Sequence, residues 1–213
     1  MFFSWLSLAV VCLLGAMSPG PSFVVVARNA LFRGKAAGVA AAWAHAAGIC
    51  FWAFLTVAGM TVMIKTVPVL FLVVSALGSV YLGWLGVRAF FTSTGVLDEV
   101  RDASVGTMWK GAREGALIAF LNPKTGLFFL ALFSPFVKPG AETVWQCIMV
   151  ATPFFTDGVW FSFVTLVLVR PRVLSALKSH SKMVNRISGT VLLGFAIAVL
   201  VHATRFGMEW LAY

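Results

Sequence analysis

Two short stretches decide how this chain is read: "MSPGPSF" at Met17 to Phe23 and "FLNPKTG" at Phe120 to Gly126. Each interrupts a long apolar run. A proline inside a helix removes one hydrogen bond and crowds the preceding turn. In hydrocarbon, every backbone group freed in this way is expensive unless protein or water satisfies it. Pro19, Gly20 and Pro21 are therefore expected to break the first helix, with Gly20 taking the unusual dihedrals and Pro21 opening a restarted helix. In the second stretch Asn122 suits an N-cap and Pro123 the first helical position. Each break then presents the N-terminus of a half-helix, whose free N–H groups and positive dipole end favour an anion such as a carboxylate. A single break of this kind reads as a proline kink. Two at corresponding places point to a transport site.

Outward from the breaks, apolar segments fall near 2–27, 38–64, 66–87, 115–137, 144–169 and 187–204. Each is long enough for the roughly 20 residues that a spanning helix takes. Composition agrees: 61% of the 213 residues are hydrophobic and 11% charged, with a mean hydropathy of +0.97. This excludes a water-soluble enzyme, a disordered chain, collagen and a disulfide scaffold. The expected fold is an all-α polytopic membrane protein of six transmembrane helices. Met1 to Ala27 holds no Lys or Arg, so it reads as a retained first span and not as a cleaved signal peptide.

The net charge of +9 forms no continuous stripe, which argues against nucleic acid as a partner. The bases sit between the apolar segments. The first gap holds Arg28, Arg33 and Lys35, the third Arg88, Arg101, Lys110 and Arg113, and the fifth Arg170, Arg172, Lys178, Lys182 and Arg186. The other side has only Lys65, Lys138 and Arg205, and Lys124 lies inside a segment. By the positive-inside rule, gaps one, three and five face the cytoplasm and both termini lie outside. The polar third gap divides the chain into a three-helix repeat at 1–90, a cytoplasmic linker at 91–112 and a second three-helix repeat at 113–213. An odd number of spans per half requires two inverted repeats, each beginning with its broken helix.

Ionisable groups inside a bilayer are costly and mark function. Asp157, in "PFFTDGVWF", is the acid deepest in an apolar segment, four residues after Pro153, which is expected to kink the helix. Desolvation suits it to proton uptake and release, and an ion pair with Lys124 is the structural alternative. Lys124 opens the second half-helix and either faces a substrate carboxylate or snorkels towards the cytoplasm. His45 follows Gly38 and Ala41 and precedes Gly48 and Trp52 on one small-residue face, so it points into the bundle. It serves there either as a packing residue or as a group titrating near neutrality. Ser75, Ser79, Gly83 and Gly86 read as a packing stripe, and Trp5, Trp109, Trp145, Trp210 and Tyr213 as interface anchors. Cys12, Cys50 and Cys147 show no metal-ligand or CxxC spacing. No sign of a cofactor is present.

The stretches "MSPGPSFVVVARNALFRGKAAGVAAAWAHAAG", "LGSVYLGWLGVRAF", "GALIAFLNPKTGLFFLALFSPFV" and "NRISGTVLLGFAIAVL" resemble the LysE/RhtB family of bacterial amino-acid exporters along nearly the whole chain. The resemblance implies a six-helix exporter of the bacterial inner membrane, often homodimeric, that is driven by an ion gradient and is not an enzyme. The signature positions carried over are Pro19, Gly20, Pro21, Asn122, Pro123 and Lys124, and Asp157 matches an acid often seen in the fifth helix. Ser22 stands where the family usually has Asn. The expectation is proton antiport of a small zwitterionic amino acid, bound by the two breaks and Asp157, with Asp157 and His45 as coupling residues. Two alternatives are a metal-ion exporter, for which one acid and one histidine make a poor ligand set, and a transmembrane thiol–disulfide electron carrier.

Overall fold

A computed structural model of the chain describes residues 2–17, 20–91, 106–137, 140–168 and 181–211, and their side chains except at 123, 124, 168, 181, 184, 185, 188 and 209–211. These residues form α1 (Phe2–Met17), α2 (Pro21–Arg33), α3 (Lys35–Thr66), α4 (Pro68–Phe91), α5 (Met108–Phe120), α6 (Pro123–Phe133), α7 (Thr143–Leu168) and α8 (Ser181–Leu211). No strand occurs among them. Stretches of α3, α4, α7 and α8 are each long and apolar enough to cross a membrane. The pair α1 and α2 bends by 65°, and the pair α5 and α6 by 58°; with each pair counted as one span, the total reaches six. The protein is thus a multi-pass membrane protein. Most of the expected linker, and Pro19, lie outside the described residues.

Helices run past the apolar segments. The 32 residues of α3 reach about 48 Å at 1.5 Å per residue, against about 30 Å of hydrocarbon. Lys35 and Lys65 therefore stand at its two ends. The first segment also runs on, as α2, to Arg33. The turn from α2 to α3 is made at Gly34, whose φ of +90° is a conformation that side chains resist. α7 continues through Pro153 without interruption. One face of α7 (Phe155, Val159, Phe163, Leu166) is exposed for lipid, while Asp157, Phe161 and Val164 are buried.

Close contacts fix the directions. Ala30 meets Gly38, and Ser22 reaches His45, so α2 returns antiparallel along α3. Thr165 meets Gly38 and Gly158 meets Trp43, so α7 is antiparallel to α3 as well. α5 runs parallel to α3: a methyl at Gly111 would overlap the Ala37 carbonyl, and one at Gly115 the Ala41 carbonyl. α4 and α8 are antiparallel, with Gly86 against Gly189 at one end and the Phe71 and Phe206 rings 5.1 Å apart at the other. The Gly86–Gly189 contact makes part of the expected serine–glycine stripe a helix-packing surface. The ends of the three basic gaps consequently gather at one end of the bundle, and Lys65 and Arg205 at the other. Trp145 departs from the interface-anchor expectation. It is buried in the core cluster around Phe71 and Phe133, and its indole donates to the Phe136 carbonyl (3.2 Å).

The α3–α5 contact is backbone against backbone, with nothing that can yield. Gly115→Ala should cost about 1–3 kcal/mol through overpacking. Gly59, with nothing within 4 Å of an added Cβ, is the control: Gly59→Ala should be neutral or stabilise by up to about 1 kcal/mol. Thermal unfolding in detergent checks the pair.

Candidate functional site

The breaks leave a cavity of about 100 Å³ in the middle of the bundle. Gly20, Pro21 and Ser22 line it from the start of α2, and Asn122 and Thr125 from the start of α6. From there α2 leads to the basic end and α6 to the opposite one, so two half-helix N-termini meet the cavity from opposite sides. The first hydrogen bond of α2 runs from the Val24 N–H to the Gly20 carbonyl (3.1 Å). Gly20 itself is extended, with φ −163° and ψ −171°, so the expected demand for unusual dihedrals does not arise at that position.

The second break is satisfied by Trp52, which the sequence places on the His45 face of α3 with no role of its own. Pro123 has no N–H to give to the carbonyl four residues earlier, that of Ala119. The Trp52 indole, from α3, donates to this carbonyl at 3.0 Å. The same ring covers Gly126, where an added Cβ would lie 2.7 Å from it. Trp52 thus replaces the missing bond and lies over the first turn of α6.

Three of the residues singled out in the sequence form one hydrogen-bonded string on the cavity wall. His45 Nδ1 lies 2.7 Å from Asp157 Oδ2, and His45 Nε2 lies 2.8 Å from Ser22 Oγ. Both ionisable groups are buried, at 3% and 5% exposure. An ionised carboxylate can only accept; with Asp157 ionised and the imidazole neutral, Nδ1–H donates to Asp157, and Nε2 accepts from the Ser22 hydroxyl. Asp157 therefore has His45 as its partner; the side chain of Lys124 lies outside the described residues, as does that of Pro123. Apart from Cys12 and Thr156 the remaining walls are apolar and include Ile49, Leu85, Phe128, Phe161 and Leu192.

A second polar cluster went unnoticed in the sequence. Glu114 Oε2 accepts from Arg28 Nη2 (2.7 Å), Arg33 Nη1 (2.7 Å) and Asn29 Nδ2 (2.9 Å). It ties the far end of α2 to α5. In the sequence Arg28 and Arg33 read only as topology charges; their half-buried partner is the acid at the edge of the fourth apolar segment. Among the described residues no three His, Cys, Asp or Glu side chains come together in a way that could hold a metal ion. The three cysteines are free thiols.

A family model described as the LysE type translocator matches residues 13–203. The chain belongs to that family. It is 29% identical to the leucine efflux protein of Klebsiella pneumoniae, over 84% of this chain and 85% of the relative. It is 23% identical to the threonine efflux protein of Escherichia coli K12, over 94% of this chain and 99% of the relative. It is also 28% identical to an uncharacterized membrane protein of Bacillus subtilis, over 84% and 90%. No solved structure matches the chain. The match of this translocator to the family covers both breaks, His45 and Asp157.

If Trp52 supplies the bond that Pro123 cannot, Trp52→Phe should destabilise the protein by about 1–3 kcal/mol, since it strands a buried carbonyl. In a Pro123→Ala background residue 123 regains its N–H, and the same change should cost much less. A double-mutant cycle on unfolding in detergent reads the difference.

Proposed function

We propose that this translocator exports a small neutral amino acid, or a metabolite like one, from the cytoplasm by proton antiport. The observation that carries the reading is the Ser22–His45–Asp157 string on the cavity wall between two half-helix N-termini. Family membership and relatives named as leucine and threonine efflux proteins supply the substrate class. The carboxylate sits at the N–H groups around Gly20–Ser22 and Asn122–Lys124, where the dipole ends favour negative charge. The amino group approaches the Asp157 side, and the apolar walls take the side chain. A cavity far below the roughly 300–1,000 Å³ of drug-sized sites suits a molecule this small.

The string gives the coupling a physical form. When His45 takes a proton, Nε2 changes from acceptor to donor. Ser22 must then accept from His45, and its own proton turns to another acceptor in the cavity. Asp157, 2.7 Å from Nδ1, is the group that faces the ring on its other side. Proton binding in the membrane is thereby reported at the first turn of α2, the element that helps to hold the substrate. Opposed running of the two broken pairs supports a pair of inverted repeats, 1–90 and 113–213, with gaps one, three and five in the cytoplasm and both termini outside. The family resemblance also carries the inner membrane and a homodimer into this reading.

Uphill efflux from liposomes with an imposed pH gradient, scored over an amino-acid pool, tests the proposal. Wild type should move a few neutral amino acids and stop when an uncoupler is added. Asp157→Asn and His45→Gln should lose uphill export while the protein still inserts. Export that ignores the uncoupler, or an Asp157→Asn protein that works as wild type, defeats the coupling scheme. Retained activity after replacement of Cys12, Cys50 and Cys147 excludes a thiol–disulfide carrier.

A further inference from the structure

We propose that Gly15 and Phe128 together set the largest side chain the cavity admits, with Gly15 acting as a seat for the tip of the Phe128 ring. This rests on the reading of the cavity as the substrate site. Both residues line it, Gly15 two positions before the end of α1 and Phe128 from α6. A Cβ added at Gly15 would lie 2.6 Å from Phe128 Cζ and 3.1 Å from Cε1. The ring tip therefore occupies the space that a side chain at residue 15 would need.

The other sides of the ring are held. Phe129 stands edge-on at 5.7 Å, and the Leu82–Leu192 cluster of α4 and α8 packs against the ring. Packed interiors do not give way, so a ring displaced from Gly15 moves into the cavity. The wall it belongs to, with Ile49, Leu85, Phe161 and Leu192, carries no charge. His45 and Asp157 are already paired with each other. A neutral aliphatic side chain is what this wall accommodates, and the position of the Phe128 ring limits its length. Phe128 and Gly15 are specificity determinants in this scheme and take no part in proton binding.

Competition between alanine, leucine and phenylalanine in the liposome efflux assay tests the proposal. Gly15→Ala should lower the leucine-to-alanine export ratio about tenfold, the effect of a methylene or so in a hydrophobic pocket. Phe128→Leu should shift the preference the other way and raise phenylalanine relative to leucine. The double variant should return towards wild type. Unchanged ratios in all three, with export still lost in Asp157→Asn, overturn the Gly15–Phe128 limit and leave the site reading intact. Unchanged ratios together with an active Asp157→Asn protein overturn both. Should Gly15→Ala fail to reach the membrane, Phe128→Leu decides: an unchanged phenylalanine-to-leucine ratio overturns the limit.

Discussion

A helix that stops halfway across a bilayer strands N–H and C=O groups where no lipid can bond them. This chain does so twice, where α1 ends at Met17 and α2 begins at Pro21 and where α5 ends at Phe120 and α6 begins at Pro123, and the rest of the architecture answers that constraint. At the second break the answer is a side chain, the Trp52 indole on the Ala119 carbonyl. At both breaks residues at the start of the restarted helix line a shared cavity. The cavity and the breaks are one feature: polar backbone is tolerated at this depth because it lines a space that a solute or water can fill. The close α3–α5 contact follows from the same need. A half-helix of 13 residues offers little side-chain surface, and close backbone approach adds to its contact. Gly111 and Gly115 let α5 lie directly on the α3 backbone.

The buried charges obey the same logic. A buried polar group needs partners: Asp157 is hydrogen-bonded to His45, and His45 in turn to Ser22. A buried pair of this kind adds little to stability, because desolvation offsets most of its attraction. In the proposed export cycle its use lies in hydrogen-bond directions that reverse when His45 changes from acceptor to donor at Nε2. The Glu114 cluster is built differently. Two guanidiniums and an amide converge on one carboxylate oxygen, and one of the arginines, Arg33, has its side chain at 2% exposure. That arrangement holds two elements together and has no spare proton to exchange.

Much of the fold was legible because its signals are local. Proline and glycine act on their own turns, so both breaks could be placed within a residue or two. The spans followed from runs of apolar residues; their ends differ where helices continue into the polar zone, as at Arg33 and Lys35, and where the apolar run to 137 outlasts α6, which ends at Phe133. Pairings across the chain were not legible. His45 and Asp157 are separated by 112 positions and Arg33 and Glu114 by 81, and a single sequence records no distance between them. Asp157 therefore looked equally suited to Lys124. The role of Trp52 was hidden for another reason. Its partner is a backbone carbonyl, which every residue has, and only the missing N–H of Pro123 makes that carbonyl special.

The two polar clusters are joined by one short element. Ser22 and Arg28 lie six residues apart on α2, about 9 Å along its axis. One end of this half-helix contributes to the cavity and to the His45 string, and the other is clamped on Glu114. The half-helix begins at Pro21 and ends before Gly34, the one residue between α2 and α3, at positive φ. The hydrogen bond at Ser22 and the ion cluster on Glu114 therefore hold the same half-helix, one near its start and the other near its end. Neither contact alone would fix both ends of so short an element.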